Sequence, residues 1–303
     1  MKPIDLNKRR ASKLHAQGEK LSDEGRTSEA IEKYLEAIAC DPRKAESYYN
    51  LGLIYKYQGE WEKSFALNQK ANELDPDDEA ARWNLAIAAT ALRNWEVARK
   101  KWEEHGMRLD GTSGPIEMDI GISPVRLNPD DAGEVVWARR IDPARARIES
   151  IPFPESGFRY GDVVLNDGAA VGYRQVGGRE YPVFNVLELF ERSVFETRVA
   201  HVSVEDSSDL ASLDRIFAES RSSVEDWTAN VRTLCRQCSE GRPHEHHDHE
   251  LENEWSAEHR IAIAVHPADD VRQLLDRWQA ESKGRVLSIE SPSIGMPPEV
   301  NHE

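Results

Sequence analysis

The chain has 303 residues, a formal net charge of −16 and 31% charged residues, a length that points to about two domains. Its 39% hydrophobic content is enough to bury cores, which excludes wholesale disorder. No apolar run approaches the ~18 residues of a membrane-spanning helix, Met1–Lys20 lacks the apolar stretch of a secretory signal, and three cysteines cannot build a disulfide framework, so a reducing, cytoplasmic setting without a membrane is expected.

The charge is uneven. Residues 1–110 carry 20 acids and 19 bases, whereas residues 111–303 carry 35 acids and 20 bases. So acidic a second half repels phosphate backbones and disfavours nucleic acid. It favours a basic protein partner through long-range attraction.

Residues 11–105 repeat with a period of 34, in units starting at Ala11, Ala45 and Glu79. The second unit has Tyr48, Leu51, Gly52 and Tyr55 in its first half, then Ser64 and Ala71, and closes on Asp75-Pro76. The first repeats the scheme with Leu14, Gly18, Leu21, Ala30, Tyr34, Ala37 and Asp41-Pro42. The third has Leu85, Ala86, Ala89, Ala98 and Trp102 and lapses at His105-Gly106. Each unit is expected to be two antiparallel helices, with small residues at the close contact and proline stopping the second helix. One unit cannot bury its apolar face, but three stacked units can.

This segment resembles the tetratricopeptide repeat (TPR) family. The resemblance implies a binding scaffold with a concave groove lined by the first helix of each unit. The groove positions would be His15, Glu19, Tyr49, Asn50, Leu53, Tyr57, Trp83, Asn84 and Ile87. Some relatives grip a C-terminal carboxylate with Lys and Arg there. Here His15, Glu19, Ala80 and Asn84 stand where those cations are needed, so an aromatic, apolar groove suited to an apolar or amphipathic segment is expected instead. The alternative is a groove covered by the protein's own C-terminal half, because an open apolar groove is a liability. Cys40 falls at an expected core position of the array, as a small buried hydrophobe.

Residues 111–133 read as a linker with turn clusters at 111–115 and 128–131 and a short strand near Ile116–Ile120. Residues 134–194 read as a small β-rich domain of short strands, barrel-like in arrangement. Within it, Asn166-Asp167-Gly168 is a hairpin signal. The stretch 134–165, with Trp137, Ile151-Pro152-Phe153 and Tyr160–Val164, is faintly similar to a bacterial domain family of unknown function. Asp162 is expected to be a solvated turn acid.

Residues 195–290 read as an α+β domain. Strands are expected at Phe195–Val204, Arg260–Val265 and Arg285–Ile289. Val224–Leu234 fits strand or helix. Ser207-Ser208-Asp209 caps a helix carrying Leu210, Leu213, Ile216 and Phe217, and Pro267 opens another carrying Val271, Leu274, Leu275 and Trp278. With Val224–Leu234 as a strand the order is βαββαβ, the ferredoxin-like arrangement. His201 and His266 read as structural. Residues 291–303 read as a flexible tail. The expected class is thus multidomain, α followed by α+β.

Between the second and third of these strands stand Cys235, Cys238, His244, His246, His247 and His249, six candidate ligands within 15 residues. Two thiolates at C-x2-C spacing plus two imidazoles make a tetrahedral set that suits one zinc ion. His247 and His249 are preferred, with His244 and His246 as alternates, and Glu245, Asp248 and Glu250 would orient the imidazoles. The ion would staple the loop at 235–249. The competing readings are a redox cysteine pair beside a solvated histidine tract and a His-rich metal-scavenging loop.

The sequence therefore points to a cytoplasmic, zinc-binding interaction scaffold or adaptor with a protein partner. Two rival readings remain. One is an inhibitor or immunity-type protein that neutralises a basic effector. The other is a metal-dependent hydrolase with Cys235, Cys238 and one histidine as ligands and Glu245 or Glu240 as base.

Overall fold

A computed structural model describes residues 3–130, 133–228 and 256–295. Its packing divides into two units, one running to Met118 and one starting at Asp119.

The first unit is six helices: α1 (Pro3–Asp23), α2 (Thr27–Cys40), α3 (Ala45–Tyr57), α4 (Trp61–Leu74), α5 (Glu79–Ala91) and α6 (Trp95–Glu104). They pack as three hairpins, and each hairpin stacks on the next. The turns repeat as the sequence does. Gly25, Gly59 and Arg93, 34 residues apart, take φ of +74°, +68° and +56°. Glycine adopts that conformation without steric penalty; an arginine does not. The recurrent glycine inside the first helices has another cause. A Cβ on Gly18 would lie 2.8 Å from the Tyr34 ring, and one on Gly52 2.7 Å from the Asn68 amide. The hairpin partners approach too closely for any side chain there. Cys40 is only half-buried, because it ends α2 rather than facing its neighbours, which corrects the expected core position.

After α6 the chain turns at Gly106 (φ +81°). Buried Arg99 then donates to the carbonyls of Asp110, Gly111, Gly114 and Pro115, at 2.7 to 3.1 Å. One guanidinium thus holds four acceptors of a turn that forms few ladder bonds of its own.

In the second unit β1 (Gly121–Leu127), β2 (Glu134–Arg140), β3 (Arg145–Ile148), β4 (Val163–Val176) and β5 (Arg179–Glu191) form a closed barrel. Neighbours are antiparallel except at the closure, where β1 meets β5 in parallel with Val125 opposite Phe184. Its core is Val125, Leu127, Val136, Ala138, Ile148 and Val164 with neighbours. Two expectations need correction. The stretch read as a linker supplies β1, and the strand lies after Ile116–Ile120 rather than over it; Ile116 is instead a single buried anchor. Asn166–Gly168 is no hairpin. β4 runs through it with register shifts, and the turn falls at Gly177-Gly178, both at positive φ. The reason is burial: Asn166 and Asp167 are buried and Asn166 N–H donates to the Ala144 carbonyl at 2.7 Å, so ladder bonding outweighs the local turn preference.

The chain continues through β6 (Glu196–Ser203), α7 (Ser207–Ala218), β7 (Ser223–Asp226), β8 (Glu258–Val265), α8 (Val271–Glu281) and β9 (Arg285–Glu290). The sheet order is β7-β8-β6-β9, antiparallel throughout. Alternate residues face opposite ways. Ala200, Val202, Ile261 and Ile263 pack under α7 and α8 with Phe217 and Trp278. Val199, Ala262 and Ala264 pack with Ile151 and Trp227, and with Phe153, Tyr160 and Phe195. Both helices start away from the sequence expectation, α7 capped one residue before Ser207 and α8 beginning at Val271 rather than at Pro267. Asp206 caps α7 through Ser208 N–H, and Asp270 caps α8 through Arg272 and Gln273 N–H, because a carboxylate just before the first turn satisfies those donors. Pro267 lies ahead of α8. Among the described residues, no helix is long and apolar enough to cross a membrane.

Candidate functional site

The repeat surface can be built residue by residue. Tyr49, Leu53 and Tyr57 are spaced four apart on α3, so they form one stripe along a single helix face. None of the three is buried, and Tyr57 is 55% exposed. Glu19 is exposed on the neighbouring α1. Asn50 is half-buried and donates to the Tyr34 hydroxyl at 3.2 Å.

Three residues assigned to the groove are corrected by burial. His15 is buried, with Nδ1 3.0 Å from the Ser47 hydroxyl and Nε2 3.3 Å from Glu19. Asn84 is buried, and Ile87 is 0% exposed. The cause lies in α5, where Ala81, Ala86, Ala88 and Ala89 let α3, α4 and α6 close in on it. Trp83 is half-buried, packed edge-on against Trp102 at 4.9 Å and His105 at 5.0 Å.

Sequence reasoning missed Lys56. It is 3% exposed, donates to Asn84 Oδ1 at 3.1 Å and sits 4.4 Å from the Tyr57 ring centre. Its position seven residues after Tyr49 was the available signal, since that spacing returns to the same face. A cation therefore stands among these residues, where the sequence appeared to offer none.

Residues 18–59 match the family described as TPR repeat. The helical array is made of tetratricopeptide repeats. The chain is 26% identical over 135 residues to the photosystem I assembly protein Ycf3 of Synechococcus sp. strain CC9605, covering 42% of this chain and 72% of that one. It is 28% identical over 135 residues to the same protein of strain CC9902, with the same coverage. Among solved structures, the second TPR of Spaghetti (RPAP3) bound to the HSP90 peptide SRMEEVD is 26% identical, with a TM-score of 0.32, covering 33% of this chain and 87% of that one. The Arabidopsis OM64 TPR domain is 17% identical, with a TM-score of 0.31, covering 32% and 81%.

Burial gives the TPR array a pH response. It holds the His15 imidazole below its ordinary value, with Lys44 adding to the effect. Burial and then Arg82 do the same for His105. A group lowered on folding binds fewer protons folded than unfolded. Its stability contribution is whole above an imidazole pKa of about 6.5 and fades as the pH falls below it. Helix melting followed by circular dichroism is expected at lower temperature at about pH 5.5 than at about pH 7.5. In the His15→Gln/His105→Gln double variant the gap should narrow; an unchanged gap would show that these rings do not govern it.

Outside the TPR array, Asp162 corrects the expectation of a solvated turn acid. It is 0% exposed. It accepts N–H groups from Arg159 and Ser193 and the Arg192 guanidinium, each at 2.8 Å. Burial pushes its carboxyl up; the hydrogen bonds and Arg192 pull the other way. The two glycine-rich turns around it hid this role, since turn chemistry and a buried anchor look alike in sequence.

His201 is part-exposed, 3.4 Å from Glu290. His266 accepts from Ala268 N–H and packs on Phe195. The candidate metal ligands Cys235, Cys238, His244, His246, His247 and His249, with Glu240 and Glu245, lie outside the described residues. The root of their connection is described: Asp226 Oδ2 is 2.7 Å from His259 Nδ1, and the Ser256 carbonyl is 2.8 Å from His259 Nε2. Among the described residues, no group of three or more His, Cys, Asp or Glu is placed to hold a metal.

Proposed function

We propose that this TPR-containing protein is a cytoplasmic, non-enzymatic interaction scaffold whose repeat array takes an apolar or amphipathic segment of a protein partner. The observation that carries this reading is the α3 stripe. Tyr49, Leu53 and Tyr57 remain incompletely buried along one face of α3, with Tyr57 55% exposed. Aromatic side chains of this kind supply most of the energy of peptide recognition. The matching relatives are named as assembly proteins, which agrees with a role exercised on other proteins. A photo-crosslinking residue at Tyr57 is expected to trap a partner segment, and Leu53→Ser to reduce the yield about tenfold. Trapping only of this chain's own peptides would favour a covered groove, and no adduct at all would count against the reading.

We further propose that the second unit combines a small barrel with a ferredoxin-like βαββαβ sheet, and that Cys235, Cys238 and two of the loop histidines, His247 and His249 before His244 and His246, hold one zinc ion. Two kinds of support bear on the metal. The donor set is the soft-plus-imidazole combination zinc prefers. The loop also leaves and re-enters through paired strands, with Asp226 opposite Ile261, so an ion would close a connection already pinned at its base. Elemental analysis of the purified chain should find about one zinc per chain, and Cys235→Ser should remove it. Metal-free wild-type protein after purification in zinc-containing medium would sink the proposal.

A further inference from the structure

Between α4, α5 and α6 lies a recess of about 600 Å³, within the size range of small-molecule sites. It lies wholly inside the TPR array. Tyr49, Leu53 and Tyr57 do not line it, so it stands apart from the α3 stripe. Asn72 and Glu73 reach it from α4, Arg82 from α5, and Lys100, Lys101 and Glu104 from α6.

The two carboxylates of this lining are already matched. Glu73 takes Lys70 at 3.1 Å, and Glu104 takes Lys101 at 2.8 Å. The other two cations are not. Arg82 gives Nη1 to the Pro76 carbonyl at 3.1 Å, and its Nε is buried without a hydrogen-bond partner. Lys100 is exposed on α6. Among the described residues, neither cation has a carboxylate partner. The recess therefore carries an excess of positive charge that the protein itself does not answer.

Asn72 adds a neutral donor to the same wall. It is 8% exposed, and its Oδ1 accepts from Lys101 Nζ at 2.8 Å. That bond fixes the amide, so its Nδ2 group is the open end, and among the described residues no acceptor takes it. A buried amide donor is costly unless something accepts from it. Leu85 and Val97 give the recess an apolar wall beside these groups.

The guest must answer two cations and one amide. A neutral molecule answers neither charge. A carboxylate or a phosphodiester brings a single negative charge. A phosphate monoester carries close to two charges at neutral pH and three strong acceptor oxygens. Arginine meets phosphate as a planar fork and lysine as a point charge.

We propose that this recess is a binding site for a phosphate monoester, carried by a small organic molecule or by a phosphorylated side chain of a protein. The phosphate oxygens accept from Arg82, Lys100 and Asn72 Nδ2. The carbon attached to the ester oxygen rests on Leu85 and Val97.

The test uses the full chain at about pH 8, where the monoester is a dianion, and four probes: methyl phosphate, a capped Gly-phosphoserine-Gly peptide, its unphosphorylated form, and methyl sulfate, a monoanion of the same shape. Binding is read by calorimetry, with circular dichroism as the check on folding. Both phosphate probes are expected to bind saturably, with methyl sulfate about tenfold weaker or worse and the unphosphorylated peptide not binding. Arg82→Gln and Lys100→Gln should each weaken the phosphate severalfold. Asn72→Asp keeps an oxygen for Lys101 but turns the open donor into a like charge, and should abolish binding; if that variant does not fold, the exposed Lys100→Glu takes its place. A phosphopeptide that binds more tightly than methyl phosphate assigns the site to a phosphorylated side chain; equal or weaker binding assigns it to a small phosphate ester. Absence of saturable binding by either phosphate probe, equal affinity for methyl sulfate, or indifference to the Arg82 and Lys100 variants would each overturn the proposal.

Discussion

Asp162→Ala is expected to destabilise the second unit by about 1–3 kcal/mol, the range for leaving buried hydrogen-bonding groups without their partner. The substitution leaves the Arg159 and Ser193 N–H groups and the Arg192 guanidinium without their shared acceptor. Those three groups belong to the approach to β4 and the exit from β5, so their loss loosens both ends of the barrel's longest pairing. Asp162→Asn should cost less, because an amide oxygen still accepts. The pH dependence has a definite sign. Burial raises this carboxyl on folding, so its favourable contribution is present below the unfolded value and is lost as pH rises through the folded one. The stability advantage of wild type over Asp162→Asn, which does not titrate, should therefore widen as the solution is acidified and Asp162 takes up its proton. Urea unfolding followed by tryptophan fluorescence at several pH values measures both effects. An Asp162→Ala midpoint equal to that of wild type would show that the carboxylate is dispensable.

Gly284→Ala is the second large effect. A Cβ at this position would lie 2.1 Å from Trp278 Cζ2 and 2.4 Å from Cη2. The ring cannot swing aside. It is fully buried between the sheet and α7, and its Nε1 donates to the Asp209 carbonyl at 2.8 Å. The adjoining backbone is also tied, with Lys283 N–H donating to Asp209 Oδ1 at 2.9 Å. One methyl group must therefore displace either a strand or a tryptophan. Overpacking of this severity costs about 3 kcal/mol, seen as a fall in the melting temperature. A double variant, Gly284→Ala with Trp278→Leu, should recover part of the loss by making room. Failure of that rescue would place the strain elsewhere.

The repeat array was legible because a 34-residue period constrains many positions at once. Gly18 and Gly52 stand where the helices touch, and Gly25 and Gly59 where the chain turns. Which face of a helix stays open was not legible. Ile87 and Leu53 occupy equivalent positions in their units, yet the alanine-rich α5 lets its neighbours enclose Ile87, whereas Leu53 remains only half-buried. Lys56 was not legible, because the positions at which the resemblance implies cations do not include it. Strands β6, β8 and β9 could be read from their composition and alternation, whereas Val224–Leu234 fitted strand or helix and the strand described there is Ser223–Asp226; Asn166–Gly168 misled because its turn chemistry is local and the ladder that overrides it pairs Asn166 with the distant Val186. The Cys–His cluster rests on spacing alone, since its residues lie outside those described.

The face of the sheet that carries Val199, Ala262 and Ala264 shares its apolar contacts with Ile151 and Trp227. The Trp227 indole also donates to the Ile151 carbonyl at 3.2 Å. The barrel and the sheet therefore hold a seam in common. Cutting the gene near residue 194, a natural point by composition, would strip that seam on both sides and leave two insoluble halves. Expression of the region from Asp119 as one piece keeps it closed, and that piece should melt in a single cooperative step.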